Sequence, residues 1–152
     1  MNILELLKED HQKVAELFAR VEATESEKQH QQLFEKIKAE LEMHTHIEET
    51  ILYPVLAEKE PLKELILESF EEHRQVKTLI REISALVEGS EKLDAKLKVM
   101  GENIEHHVSE EEKMLFPRAA WLLSQQQLER MGEEMQLMKK GVAKASGAAA
   151  RE

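Results

Sequence analysis

Cysteine is absent from this 152-residue chain, which excludes disulfides, thiolate metal sites, iron–sulfur clusters and thiol catalysis. Only three prolines and five glycines interrupt it, so long helices have room to run. No apolar run approaches the ~18 residues of a membrane span. Basic residues are scarce beside acidic ones, 21 against 31, for a formal net charge of -10. That balance argues against nucleic acid, whose phosphates are neutralised by Lys and Arg, and against an anionic membrane surface. The acid excess reads as a solvated helix exterior. The segment Met1 to Asp10 lacks a basic start and the apolar stretch of a signal peptide, so the expected location is the cytoplasm. Glycine-rich phosphate loops and His-Glu-x-x-His are also missing, and the sole Glu-x-x-His, Glu27–His30, is unrepeated.

What is present is helical. Ala, Leu, Glu, Lys and Gln dominate, and all are strong helix formers. Apolar steps of three and four place a first helix at about Ile3 to Val21, on Leu4, Leu7, His11, Val14 and Phe18. A second carries Leu33, Ile37, Leu41, His44, Glu48 and Ile51 and is expected to end near Tyr53, because Pro54 disfavours helix in the residue before it. A third starts near Pro61 or Leu62 and carries Ile66, Ser69, His73, Val76, Ile80 and Ile83 until Gly89-Ser90 breaks it. A fourth carries Leu93, Leu97, Met100, Ile104, His107 and Glu111 up to Pro117. The predicted fold is all-α: an antiparallel up-down-up-down four-helix bundle with an internal two-helix repeat. A short fifth helix is expected from Ser124 to Lys139, closing a domain of residues 1–140 ahead of a flexible tail, 141–152.

The repeat carries the chemistry. His44-x3-Glu48-Glu49 with Leu52-Tyr53-Pro54 recurs 63 residues later as His107-x3-Glu111-Glu112 with Leu115-Phe116-Pro117. Asp10-His11 recurs in the same way as Glu72-His73. Residues four apart share one helical face, so His44 and Glu48 reach one site, as do His107 and Glu111. His11 and His73 enter from the other two helices. A single inward His is ordinarily a hydrogen-bonded core residue, but two inward carboxylates need compensating positive charge. No Lys or Arg occupies a neighbouring stripe position, and a metal pair supplies that charge directly. The expected ligands are therefore His11, His44, Glu48, His73, His107 and Glu111. His30, His46 and His106 are expected at the surface, with Glu49 and Glu112 outside the ligand set.

Imidazole and carboxylate without thiolate suit iron, manganese, zinc or copper. Bridging carboxylates in a helical bundle favour iron or manganese. Two His per metal, both Glu bridging and one oxo or hydroxo bridge leave a sixth position open. An open position among Leu, Ile, Val and Phe suits a small diatomic molecule or peroxide rather than a large substrate.

These residues, over roughly 3 to 118, resemble the hemerythrin-like family, specifically the HHE cation-binding domains. The resemblance implies a non-haem di-iron centre, with two iron ions, and activities that include O2 or NO binding or sensing. It also implies, as alternatives, peroxidase-like, catalase-like or ferroxidase chemistry, iron handling and repair of iron centres. The chain departs from oxygen carriers of that family at Lys77, where they have a fifth His, and at His107-x3-Glu111, where they use His-x4-Asp. It also lacks the Cys-bearing extension common in the repair proteins.

Overall fold

The structure is a computed structural model that describes the backbone of residues 1–151 and the side chains of residues 1–141. Helix α1 spans Ile3–Glu22 and starts on a reciprocal cap, in which the Asn2 side chain accepts from Glu5 N–H and the Glu5 carboxylate accepts from Asn2 N–H. Helix α2, Glu27–Ile47, is capped by Ser26, whose hydroxyl accepts from Gln29 N–H. A five-residue π-helical turn, Glu48–Leu52, leads into α3, Tyr53–Ala57. A single 3-10 turn at Glu60–Leu62 precedes α4, Lys63–Ser84. After a connection in which Gly89 takes φ +83, α5 spans Leu93–Glu110. A second π-helical turn, Glu111–Leu115, leads into α6, Phe116–Leu122, and α7 spans Gln125–Arg151.

Helices α1 and α2 form one hairpin and α4 and α5 the other, and the two hairpins pack into the bundle. The predicted stops at Pro54 and Pro117 do not hold, because both helices run on through the proline. Pro has no N–H to give its i−4 carbonyl, and its ring collides with that carbonyl. The chain relieves both problems by widening one turn. Tyr53 N–H bonds Glu48 O and Phe116 N–H bonds Glu111 O, five residues back in each case. The fifth helix also runs beyond Lys139, to Arg151, and of the flexible tail expected at 141–152 the side chains from 142 onward lie outside the described residues.

The core falls into two apolar clusters. One gathers Ile3, Leu7, Ile47, Leu52, Tyr53, Leu56, Ile66, Leu115 and Phe116, with Leu128, Met131 and Met135 of α7. The other gathers Val14, Phe34, Ile37, Leu41, Val76, Ile80, Leu97, Met100 and Ile104. Helices α1, α2 and α4 each contribute to both clusters and carry a buried His between the two contributions, while α5 contributes to the second and reaches the first through Leu115 of the π-helical turn that follows it. The bundle is thus apolar, then polar, then apolar along its length.

His30 is a correction to the sequence reading, since it is buried rather than exposed. Its Nε2 donates to Val21 O at 2.9 Å and Thr24 O at 2.6 Å, and its Nδ1 donates to Asp94 Oδ1 at 2.7 Å. It fastens the C-terminal end of α1 and the first turn of α5 to α2. With acceptors facing both ring nitrogens, the protonated imidazole is favoured and its pKa is raised.

Candidate metal centre

Four helices and the two π-helical turns deliver the polar layer. His11 comes from α1, His44 from α2, His73 from α4 and His107 from α5. Glu48 and Glu111 each open a π-helical turn, one helical turn beyond His44 and His107. The structure brings all six together. His11, His44, Glu48 and Glu111 offer ligand atoms within 4.8 Å of one another, and so do Glu48, His73, His107 and Glu111. The two carboxylates belong to both sets, while each set has its own pair of imidazoles. Ring centroids stand 4.8 Å apart for His11 and His44 and 4.9 Å apart for His73 and His107.

Nε2 of His11 lies 3.1 Å from Glu111 Oε1, and Nε2 of both His44 and His73 lies 3.1 Å from Glu48 Oε1. Nε2 of His107 lies 3.4 Å from Glu111 Oε2. For most of these atoms the approaches lack hydrogen-bond geometry. His11, His44 and His107 Nε2, both Glu48 oxygens and Glu111 Oε1 have no hydrogen-bond partner among the described residues. Six lone-pair atoms gathered in a dry layer without partners is untenable for a bundle core alone, because buried polar groups are otherwise paired. It is what cation ligands require, so the residues fit a metal pair.

The opposite edge of every imidazole is held by a carboxylate. His11 Nδ1 donates to Glu112 at 2.6 Å, His44 Nδ1 to Asp10 at 3.1 Å, His73 Nδ1 to Glu49 at 2.8 Å and His107 Nδ1 to Glu72 at 2.8 Å. This holds each ring with Nε2 turned inward, the nitrogen that a metal would take in place of any proton there. The pattern follows the repeat. Asp10 and Glu72, each just before a ligand His, hold the His of the partner helix in their own hairpin. Glu49 and Glu112, each just after a ligand Glu, hold the lone His of the other hairpin. Two of the four carboxylates are themselves neutralised, Glu49 by Lys77 at 2.9 Å and Asp10 by Lys139 of α7 at 2.7 Å. Lys77, four residues after His73, therefore neutralises Glu49 beside the centre.

The electrostatics ask for positive charge. Burial opposes the charged form of His44, but the charge of the nearby Glu48 carboxylate and the hydrogen bond to Asp10 outweigh it and hold His44 at about 10. Burial likewise opposes charge on His107, and Glu111 with Glu72 raises it to about 11. Burial alone would raise Glu111, yet the close imidazoles of His107 and His11 hold it well below the carboxylate range.

Tyr53 breaks the twofold likeness of the two halves. Its hydroxyl donates to Glu111 Oε2 in a short hydrogen bond and lies 3.3 Å from His73 Nε2. Burial and the Glu48 and Glu111 charges push its phenol well above 10, so it stays a proton donor. At the equivalent position Phe116 stacks on His11 at 5.9 Å. The sequence reading left Tyr53, Asp10, Glu72 and Lys139 without roles. The Tyr-for-Phe exchange within the repeat was the visible signal for the first. Lys139 gave none, since its contact spans 129 residues.

An internal cavity of about 30 Å³ touches all four ligand imidazoles and neither ligand Glu. Its remaining walls are Val14, Leu41, Val76, Ile104 and Val108, with Asp10 and Thr45. A water needs roughly 10–15 Å³ of such space, so the cavity admits a molecule of about two heavy atoms. A surface groove of about 990 Å³ near Gly89 touches none of the six residues. His46 and His106 lie exposed, outside the layer.

Residues 2–119 match the family model described as hemerythrin HHE cation binding domain. A DNA nickase of Nostoc sp. is 26% identical over 150 residues, which are 97% of this chain but 42% of that protein, so the chain spans less than half of that relative. A crystal structure of a hemerythrin HHE cation-binding domain-containing protein from Mycobacterium kansasii superimposes with a TM-score of 0.78 at 27% identity. The match covers 92% of this chain and 86% of that one.

Proposed function

The chain belongs to the hemerythrin HHE cation-binding domain family, and from that premise we propose that it holds two iron ions and binds a small diatomic molecule or peroxide beside them. His11, His44, Glu48, His73, His107 and Glu111 are the proposed ligands, with both Glu shared between the ions. Imidazole and carboxylate donors without thiolate support iron. When bound, such a pair supplies electrons and an open coordination position. The observation that carries the reading is the small cavity against all four imidazoles.

This chain's own residues do the rest. Val14, Leu41, Val76, Ile104 and Val108 exclude charged solutes and bulk water from the cavity. Asp10, Glu49, Glu72 and Glu112 keep the four rings from turning. Tyr53 keeps a proton on the Glu111 side, away from the cavity. The other polar groups facing the cavity are engaged, Asp10 with His44 and Lys139, and Thr45 with Glu42 O. That leaves no spare proton donor among the described residues facing the cavity, which favours binding over proton-consuming turnover. The nicking activity named for the cyanobacterial relative is not carried over, since the -10 charge gives no grip on phosphates.

The test is anaerobic. Protein loaded with Fe2+ is titrated with NO and, separately, with O2 and hydrogen peroxide, while absorption is followed. A saturable spectral change in the wild type that is lost in Glu48→Gln is expected. No response to any of the three sinks the reading, and continuous peroxide consumption above that of free iron replaces binding with redox turnover.

A further inference from the structure

We propose that Glu72, His106 and Glu110 form an outer site for a hydrated divalent cation, from which metal passes inward to the buried centre. The three side chains offer ligand atoms within 4.8 Å of one another. His106 and Glu110 stand one turn apart on α5, with Nε2 and Oε1 3.2 Å apart, and Glu72 faces them from α4. One imidazole and two carboxylates suit the same ions as the inner ligands. Their side chains are 68%, 40% and 26% exposed, so an ion there keeps part of its water and is held weakly.

A second observation ties this cluster to the centre. A narrow cavity of about 10 Å³, the size of one water, has Glu68, Glu72 and Glu110 on its walls together with His107 and Glu111. Glu111 is 2% exposed and its Oε1 has no partner, and His107 Nε2 has none either. Glu72 belongs to both places, since its Oε1 accepts from His107 Nδ1.

Among the described residues, the repeat places this cluster in one half and not in the other. In the other half, Asp10, Met43 and Ile47 stand where Glu72, His106 and Glu110 stand here. Asp10 is buried under Lys139 of α7, and Ile47 is fully buried. Helix α7 thus covers one half while the other stays acidic and open. The cavity against the four imidazoles has Val14, Leu41, Val76, Ile104 and Val108 on its walls, with the one carboxylate there, Asp10, already paired with Lys139, and suits neutral ligands, not hydrated cations. Ions and small neutral ligands therefore take separate routes.

The destination, though not the outer site, rests on the di-metal reading, and two measurements separate them. Anaerobic Fe2+ uptake by metal-free protein is followed by stopped flow. His106→Ala/Glu110→Gln should slow uptake about tenfold, as loss of a charged funnel does, while the final count of ions in the inner centre stays that of the wild type. An unchanged rate overturns the delivery role. Mn2+ binding is then counted by electron paramagnetic resonance in Glu48→Gln, which lacks the inner site. One weakly held Mn2+ is expected, and none once His106→Ala and Glu110→Gln are added. No Mn2+ in Glu48→Gln overturns the outer site, whatever the inner centre does. Both exchanged side chains are exposed, so thermal melting of the metal-free double variant should match the wild type.

Discussion

At the residue scale, Glu48 is fully buried with both carboxylate oxygens unpartnered, beside His44 and His73. Protons or metal ions can satisfy it, and they compete for the same imidazoles. With His44 at about 10 and His107 at about 11, the metal-free protein keeps both protonated at neutral pH. Metal must displace those protons, so affinity should rise with pH between 6 and 8. Titration calorimetry checks this, and a pH-independent affinity contradicts it. Tyr53→Phe removes the hydroxyl that holds Glu111 but keeps the ring that Phe116 shows the repeat accepts. Metal affinity should fall about tenfold with the fold retained, the usual cost of losing a partner that orients a ligand. His30 is legible only in the structure, because its partners are two backbone carbonyls and an Asp 64 residues away. Burial would lower it, yet Asp94 and the carbonyls raise it above 6.5. Its stabilisation is therefore complete below pH 6.5 and is lost as pH climbs through the raised value. The melting-temperature gap between the wild type and His30→Ala should be wider at pH 5.5 than at pH 9.

At the element scale, the apolar stripes place the four bundle helices where the structure has them. The stripes continue through both prolines, since Leu56 and Ala119 beyond them are fully buried. Proline read as a stop misled because tertiary packing on both sides keeps the helix going, and the π-helical turn absorbs the clash. That turn starts at the ligand Glu in each half, which turns both Glu48 toward the centre and Glu49 toward His73. Helix α7 docks through Gly132, where an added Cβ would sit 2.5 Å from Met1 O. Helix propensity alone would reward Gly132→Ala by about 1 kcal/mol. Forcing the N-terminal backbone away disturbs the Asn2 cap and overpacks the joint, at a cost of about 1–3 kcal/mol. The net expectation is a lower melting temperature, measured by thermal denaturation of the metal-free protein. A rise would mean that α7 is not seated there.

At the scale of the whole molecule, the duplicated motif made the centre visible, since six inward residues in a two-helix repeat converge in only a few ways. The outer carboxylates were half visible, as neighbours of the ligands without assigned partners. Their crossed pairing, within a hairpin for Asp10 and Glu72 and between hairpins for Glu49 and Glu112, depends on how the hairpins pack. Long-range contacts such as Lys139 with Asp10 leave no local signature at all. Among the described residues no helix is long and apolar enough to cross a membrane. Because the polar layer divides the core into two apolar clusters, the metal pair is also the joint between them. The most direct test is to titrate metal-free protein with Mn2+ or Fe2+ under anaerobic conditions, counting bound ions and following their magnetic coupling. Two ions per chain in the inner centre, coupled to each other and both lost in Glu48→Gln, are predicted. One ion, or two that bind independently and uncoupled, would contradict a centre bridged by Glu48 and Glu111.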